Sequence, residues 1–277
     1  MHISDFLTQL IAKGSCTFTF SQAKEALGAS NIATKAAIRR LKQKGQLASP
    51  LKSFYVIVPP QYRILGCRPA DQFIHDLMQF IDTPYYVGLL SAAQYYGAAH
   101  HRPQQLQVIT NQKRPAILCG RIKIVFVTKK NIQRIPTKNF NTSQGIIVVS
   151  SPEATAMDMV TYPNRCAGLD NVLIVLNDLV KKLDADKLLE LTINSAEATW
   201  IQRLGYLLDL IKANNLSDIL LNSLKHRRIR TRLLTPPIKI SPVLEKLASK
   251  LGKTKPQKMA RNNKWKLIIN KKLELEI

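Results

Sequence analysis

Two short runs in this 277-residue chain carry residue types that could do chemistry. His100-His101 is its only adjacent histidine pair, and neutral imidazoles are common metal ligands. Neighbouring side chains point different ways on most backbones, so a turn-exposed pair bonded to local groups is the expected state rather than a chelate. Asp184-Ala185-Asp186 has the D-x-D spacing of nucleotidyltransferases. Such carboxylates work when a strand sets them side by side on Mg²⁺. Here Lys181-Lys182-Leu183 precede them and Lys187-Leu188-Leu189-Glu190-Leu191 follow. That context reads as a helix start with acids near its positive end. Glu153 and Asp158 fall on or beside a helix opened by Ser151-Pro152, where Glu153 suits the helix dipole and Asp158 a structural hydrogen bond. A metal-dependent nuclease needs two or three carboxylates near its central strands. Residues 83–152 hold the best strand candidates and contain no Asp or Glu. No G-x-x-x-x-G-K-[ST] run exists, so a P-loop is absent. Cys16, Cys67, Cys119 and Cys166 are scattered with no C-x-x-C pair, unlike the clustered ligands of structural zinc. The chain therefore reads as a non-enzyme with no catalytic residues, no metal site and no cofactor.

Charge points elsewhere. Lys and Arg number 41 against 18 acids, a formal net charge of +23. Polyanions are attracted to such a chain, and nucleic acid is the commonest. The excess is uneven. Residues 1–58 hold 8 basic and 2 acidic residues, 59–224 hold 17 and 13, and 225–277 hold 16 and 3. The ends carry the field. The start lacks a basic segment followed by an apolar run, and no apolar stretch reaches the roughly 18 residues of a membrane span. With scattered thiols this suggests a cytoplasmic protein with no membrane partner.

The basic N-terminal end must be positioned by local elements. Phe6, Leu7, Leu10 and Ile11 have helical spacing, ended by Gly14. A strand-like Thr17–Phe20 follows. Ser21 can cap a second helix, Gln22 to Leu27. After Gly28-Ala29-Ser30, a third helix runs from about Asn31 to Lys44, with Gly45 at the C′ position. Ala37, Ile38 and Leu41 form its apolar stripe. Leu47 begins a strand, Ser49–Lys52 reads as a turn, and Phe54–Val58 as the returning strand. Helix, short strand, helix, turn, basic helix and hairpin is the order of a winged helix-turn-helix over residues 1–60. In that reading Asn31, Thr34, Lys35 and Arg39 reach base edges in the major groove. Arg40, Lys42, Lys44 and Lys52 neutralise phosphates.

Residues 61–277 read as a larger mixed domain, which makes the whole chain α+β. Helical patterns span Ala70–Phe80, Pro152–Val160, Asn171–Lys182, Lys187–Leu191, Trp200–Ala213 and Asp218–Leu224. Strand patterns span Leu106–Thr110, Ala116–Leu118 with Arg121–Thr128 as a hairpin, and Gly145–Ser150. An alternating piece from Trp265 to Ile269 lies near the end, followed by Leu273–Ile277. The run His226-Arg227-Arg228-Ile229-Arg230-Thr231-Arg232 supplies Arg227, Arg228, Arg230 and Arg232 as additional candidate contacts to DNA or an acidic partner.

Several segments carry a family resemblance. They are Tyr85–Ala93, Tyr96–His100 with Arg102-Pro103-Gln104, Ser151–Asp158, Ala167–Val172, Gln202–Leu208 and Lys264–Asn270. In this order, behind a winged helix, they resemble AbiEi-type antitoxins, the regulatory halves of bacterial abortive-infection toxin–antitoxin systems classed as type IV. The resemblance implies a transcriptional regulator that binds inverted repeats in double-stranded DNA upstream of its own operon. It also implies a nucleotidyltransferase-like toxin as the counteracted partner, with antitoxicity in the C-terminal domain. Two readings from other classes stay open: a DNA-acting nuclease targeted by the winged helix, and a protein-interaction module whose charge serves an acidic partner.

Overall fold

The computed structural model describes residues 1–98, 104–236 and 259–273. Its contacts divide the chain into two compact units, Met1–Tyr95 with Ala99–Ser151, and Tyr96–Ala98 with Pro152–Ile277. The architecture is mixed α+β. The expected division near residue 60 falls inside the first unit.

The first unit opens with α1 (Ile3–Ala12), β1 (Thr17–Thr19), α2 (Phe20–Leu27), α3 (Asn31–Gln43), β2 (Leu47–Leu51) and β3 (Phe54–Ile57). Helix α2 starts earlier than the pattern implied. Thr19, not Ser21, is its N-cap: Thr19 Oγ1 accepts from Gln22 N while Gln22 Oε1 accepts from Thr19 N. This reciprocal box satisfies two orphan donors at once. Gly28 closes α2 in the left-handed region, and Ser30 Oγ accepts from Ala33 N to start α3. The three helices enclose Phe6, Leu7, Phe18, Ala23, Ile38, Leu47 and Ile57. Phe6 and Phe18 meet edge to face at 5.4 Å, a preferred aromatic geometry. Strands β1, β3 and β2 form a small antiparallel sheet in that order.

The remainder of this unit is α4 (Ile74–Phe80), β4 (Tyr85–Val87), α5 (Leu89–Tyr95), β5 (Leu106–Thr110), β6 (Ile117–Cys119), β7 (Ile122–Thr128), β8 (Thr137–Thr142) and β9 (Gly145–Ser150). The sheet order is β6-β7-β5-β4-β9-β8. β5 pairs with β7, and β4 with β9, in parallel; the other neighbours are antiparallel. The helical pattern over 70–80 resolves into a short 3₁₀ turn, Ala70–Gln72, and then α4. β2 packs against β6, which explains why the N-terminal elements share a unit with this sheet.

The second unit contains α6 (Pro152–Thr161), α7 (Leu169–Leu179), α8 (Ala185–Ile193), α9 (Thr199–Leu210) and α10 (Asn214–Leu224). Every residue of α6 from Pro152 to Val160 is buried, as expected of a helix enclosed on all sides. A three-stranded sheet, β10 (Arg232–Leu233), β11 (Ala260–Asn262) and β12 (Leu267–Ile269), is ordered β10-β12-β11. Trp265 is fully buried on Gly205 of α9. A Cβ at Gly205 would lie 2.1 Å from the indole ring. The ring is fixed at its polar end by Nε1–H donating to Asp209 Oδ2 at 2.6 Å.

Candidate nucleic-acid interface

Helix α3 turns two faces outward from one buried stripe. Thr34 and Ile38 are buried and Leu41 half-buried, at positions i, i+4 and i+7. One residue further round, Lys35, Arg39 and Lys42 repeat the same spacing and are all exposed. Residues so spaced share one helix face.

The hairpin supplies the opposite wall. Its register shifts between Ala48 and Leu51, so β2 runs on to Leu51 and the turn falls at Lys52-Ser53. Ser53 takes a φ of 65°. Ser49 Oγ bonds the carbonyls of Leu51 at 2.9 Å and Phe54 at 3.2 Å, which braces the bulge. The ring of Tyr55 stacks on Phe18 at 5.2 Å. Burial pushes the Tyr55 phenol above its ordinary pKa, so it stays a neutral donor.

Between α3 and the hairpin lies an open groove of about 550 Å³, with Lys35, Arg39, Lys42 and Lys52 on its walls and no acidic residue. Among the described residues none of these four cations has an ion-pair partner. Four unpaired positive charges around one concavity raise the local potential and attract an anionic ligand. Gln43, Ser49, Ser53 and Tyr55 also line the groove, and the sequence reading missed them.

The other candidates lie apart from this groove. Asn31 is exposed at the first turn of α3 and lines a separate depression with Lys24 and Gly28. Arg40 on α3 and Lys44 at its C-cap are exposed and do not line the groove. Thr34 is a correction. It is wholly buried and its hydroxyl donates to Ser30 O at 3.0 Å, so it cannot reach a base edge.

In the second unit Arg227 is also a correction. It is half-buried and donates to the carbonyls of Ser195 and Thr192 beyond and at the end of α8, satisfying orphan acceptors there. Arg228, Arg230 and Arg232 are exposed at alternate positions leading into β10. Asp184 is the N-cap of α8, accepting from Asp186 N and Lys187 N. Glu153 is buried and accepts from Asp184 N at 3.0 Å. These acids are spent on helix ends. His100-His101 lies outside the described residues, as do 237–258 of the basic C-terminal stretch and 274–277.

The segments Gln202–Leu208 and Lys264–Asn270 meet around Trp265. Gln202 Nε2 donates to Trp265 O at 2.9 Å and to Arg230 O at 3.1 Å. Arg203 donates through Nε and Nη2 to Leu233 O. The buried polar side chains of α9 thus tie down the chain that follows α10.

Comparison with known proteins adds a family match. Residues 86–210 match the family model described as AbiEi antitoxin C-terminal domain, which supports an AbiEi-type antitoxin. That family is not a class of enzymes, and an antitoxin domain implies a toxin as partner. The chain also resembles the crystal structure of the RV2827C protein from Mycobacterium tuberculosis, with a TM-score of 0.64 and 15% identity over 96% of this chain and 90% of that one. At that identity the likeness concerns the fold alone. No curated protein matches the chain. Among the described residues no helix is long and apolar enough to cross a membrane.

Proposed function

We propose that this chain is a cytoplasmic autorepressor and antitoxin of a type IV toxin–antitoxin system. Its N-terminal module acts as a winged helix-turn-helix on double-stranded DNA. The observation that carries the DNA reading is the groove between α3 and the β2–β3 hairpin, walled by Lys35, Arg39, Lys42 and Lys52 without a carboxylate. The element order from α1 to β3 supports it, because α3 then takes the place of the recognition helix in the major groove. Lys35 and Arg39 read base edges, Arg39 through a bidentate contact of the kind arginine makes with guanine. Lys42 and Lys52 neutralise phosphate, as Arg40 and Lys44 do on the flank. Two or more copies occupy inverted repeats whose centres lie about one helical turn, or a multiple of it, apart.

The AbiEi domain over residues 86–210 supports the antitoxin half of the reading. The counteracted partner is a nucleotidyltransferase-like toxin encoded alongside. A nuclease reading gains nothing from the sheet. All strands from β4 to β9 fall within residues 83–152, which carry no Asp or Glu.

The test is fluorescence anisotropy of the pure protein on its own upstream DNA and on scrambled DNA of equal length, at two salt concentrations. The expected result is a preference for its own DNA that survives the higher salt. Equal, salt-labile binding to both would reduce the chain to a polycation. Lys35→Ala and Arg39→Ala should each cost about 1–3 kcal/mol of discrimination. Unchanged operator affinity in both would misplace the recognition helix.

A further inference from the structure

The segment after β3 and the β6–β7 turn cross at backbone contact. Arg121 N donates to Leu65 O at 2.7 Å. Gly66 lies directly against Gly120: a Cβ on Gly120 would sit 2.8 Å from Gly66 Cα and 2.2 Å from Leu65 O. Both glycines have positive φ, +71° and +58°, so conformation and space each demand glycine there. Residue 65 thus meets 121 and 66 meets 120, and Cys67 and Cys119 are the next residues along the two segments.

Both thiols are free and buried, and they lie near enough for each to shift the other's acidity. Arg68 steadies the Cys67 side by donating from Nε to Ile57 O at 2.7 Å. Cys119 keeps 7% of its surface exposed and Cys67 none. The neighbouring Cys67 thiol holds the Cys119 thiol below its ordinary pKa, with the Ser49 backbone and the Lys42 charge acting in the same direction against burial. Cys67 is pushed up by its contact with Cys119 and by burial. Cys119, the one with exposed surface, is the sulfur a peroxide can reach. Among the described residues no group of three His, Cys, Asp or Glu side chains could hold a metal ion, so the pair lacks the further ligands a metal would need.

We propose that Cys67 and Cys119 are a dithiol–disulfide site that a peroxide converts to an intramolecular bond. Cys119 thiolate attacks one peroxide oxygen, the O–O bond breaks, and hydroxide leaves, giving Cys119 sulfenic acid. The Cys67 sulfur then attacks the Cys119 sulfur. The S–S bond forms, the S–O bond breaks, and water leaves with the Cys67 proton. Overall two thiols and hydrogen peroxide give one disulfide and two waters. The bond would fasten the segment after β3 to β6, the strand on which β2 of the groove rests.

The test treats the full chain with hydrogen peroxide under native conditions. Thiols are then counted after unfolding, and a non-reducing digest is mapped by mass spectrometry. The expected result is loss of two hydrogens per chain and one peptide joining Cys67 to Cys119, reversed by dithiothreitol, with Cys16 and Cys166 still alkylatable. In Cys119→Ser the intramolecular loss should vanish. Four intact thiols, a Cys119 driven to sulfinic acid without cross-link, or a bond from Cys67 to Cys16 would each overturn the assignment. The wild-type map decides this even if the serine variant fails to fold.

Discussion

Replacing Lys42 and Lys52 together by Gln tests the groove through salt. Both side chains are exposed and have no ion-pair partner among the described residues, so stability should not change. Each lysine that meets a phosphate releases condensed counterions when DNA binds. The slope of log K against log salt then falls by about 0.9 per contact, or about 1.8 for the pair. Raising salt fourfold, from about 50 to about 200 mM, multiplies that difference to roughly twelvefold in affinity. The wild type should lose about twelve times more affinity than the double variant over that range. The assay is anisotropy on the protein's own upstream DNA at four or five salt concentrations, repeated on scrambled DNA. Preference for its own DNA should be unaffected, because phosphate contacts position the protein and carry no base information. Parallel lines for wild type and variant would refute the placement of DNA in this groove. A collapse of preference at constant slope would make the two lysines base readers instead.

Other substitutions separate structural roles from binding ones. Thr34→Val should leave DNA affinity unchanged and cost less than about 1 kcal/mol of stability, since Ser30 O keeps its bond from Thr34 N; a large loss of operator binding would restore Thr34 as a reader. Gly205→Ala should destabilise the second unit by about 3 kcal/mol in urea unfolding, because the new Cβ falls inside the Trp265 ring; a neutral result would mean the ring is not seated there. Arg227→Gln should lower the same transition by about 1–3 kcal/mol with DNA affinity intact, whereas loss of DNA affinity alone would make it a phosphate contact. Burial raises the Asp209 pKa, but hydrogen bonds from Lys264 and Trp265 help to outweigh it and hold the carboxyl below its ordinary value. A carboxyl held low in the folded state contributes stability that is complete above about pH 4 and is lost as pH falls through the lowered value. The stability gap between wild type and Asp209→Asn should therefore narrow in acid, and a constant gap from neutral to low pH would contradict it.

The N-terminal elements were legible because their signals are local. Gly28, Ser30 and Gly45 punctuate the chain where backbone conformation requires it, and apolar spacing marks the helices between. What escaped was set by a shift of one residue. The stripe read as Ala37, Ile38 and Leu41 is completed at its start by Thr34. A threonine passes for a surface residue in any hydrophobicity pattern. Its hydroxyl can bond the carbonyl four residues back and so go inside at small cost. Thr19 displaced Ser21 as a cap for a similar reason: the Gln three residues beyond Thr19 closes the reciprocal box, and Ser21 has no such partner. β8, Thr-Lys-Asn-Phe-Asn-Thr, escaped because an edge strand exposed over most of its length has no alternation to detect.

The second unit was harder because its determinants are long-range. Gly205 reads as a helix weakness by propensity. Its reason lies in Trp265, distant in sequence, which needs a flat bed on α9. Gln202 and Arg203 look like surface polar residues until the strand region after α10 returns and places carbonyls over them. Asp184 and Asp186 had the spacing of a metal site, yet local context already argued for a helix start, and the hydrogen bonds to Asp184 agree. The D-x-D spacing has meaning only on a strand, where alternate side chains share a face. On the first turn of a helix the same spacing sends one acid to the cap and the other outward. Secondary structure, not residue type, decided which chemistry these acids could do.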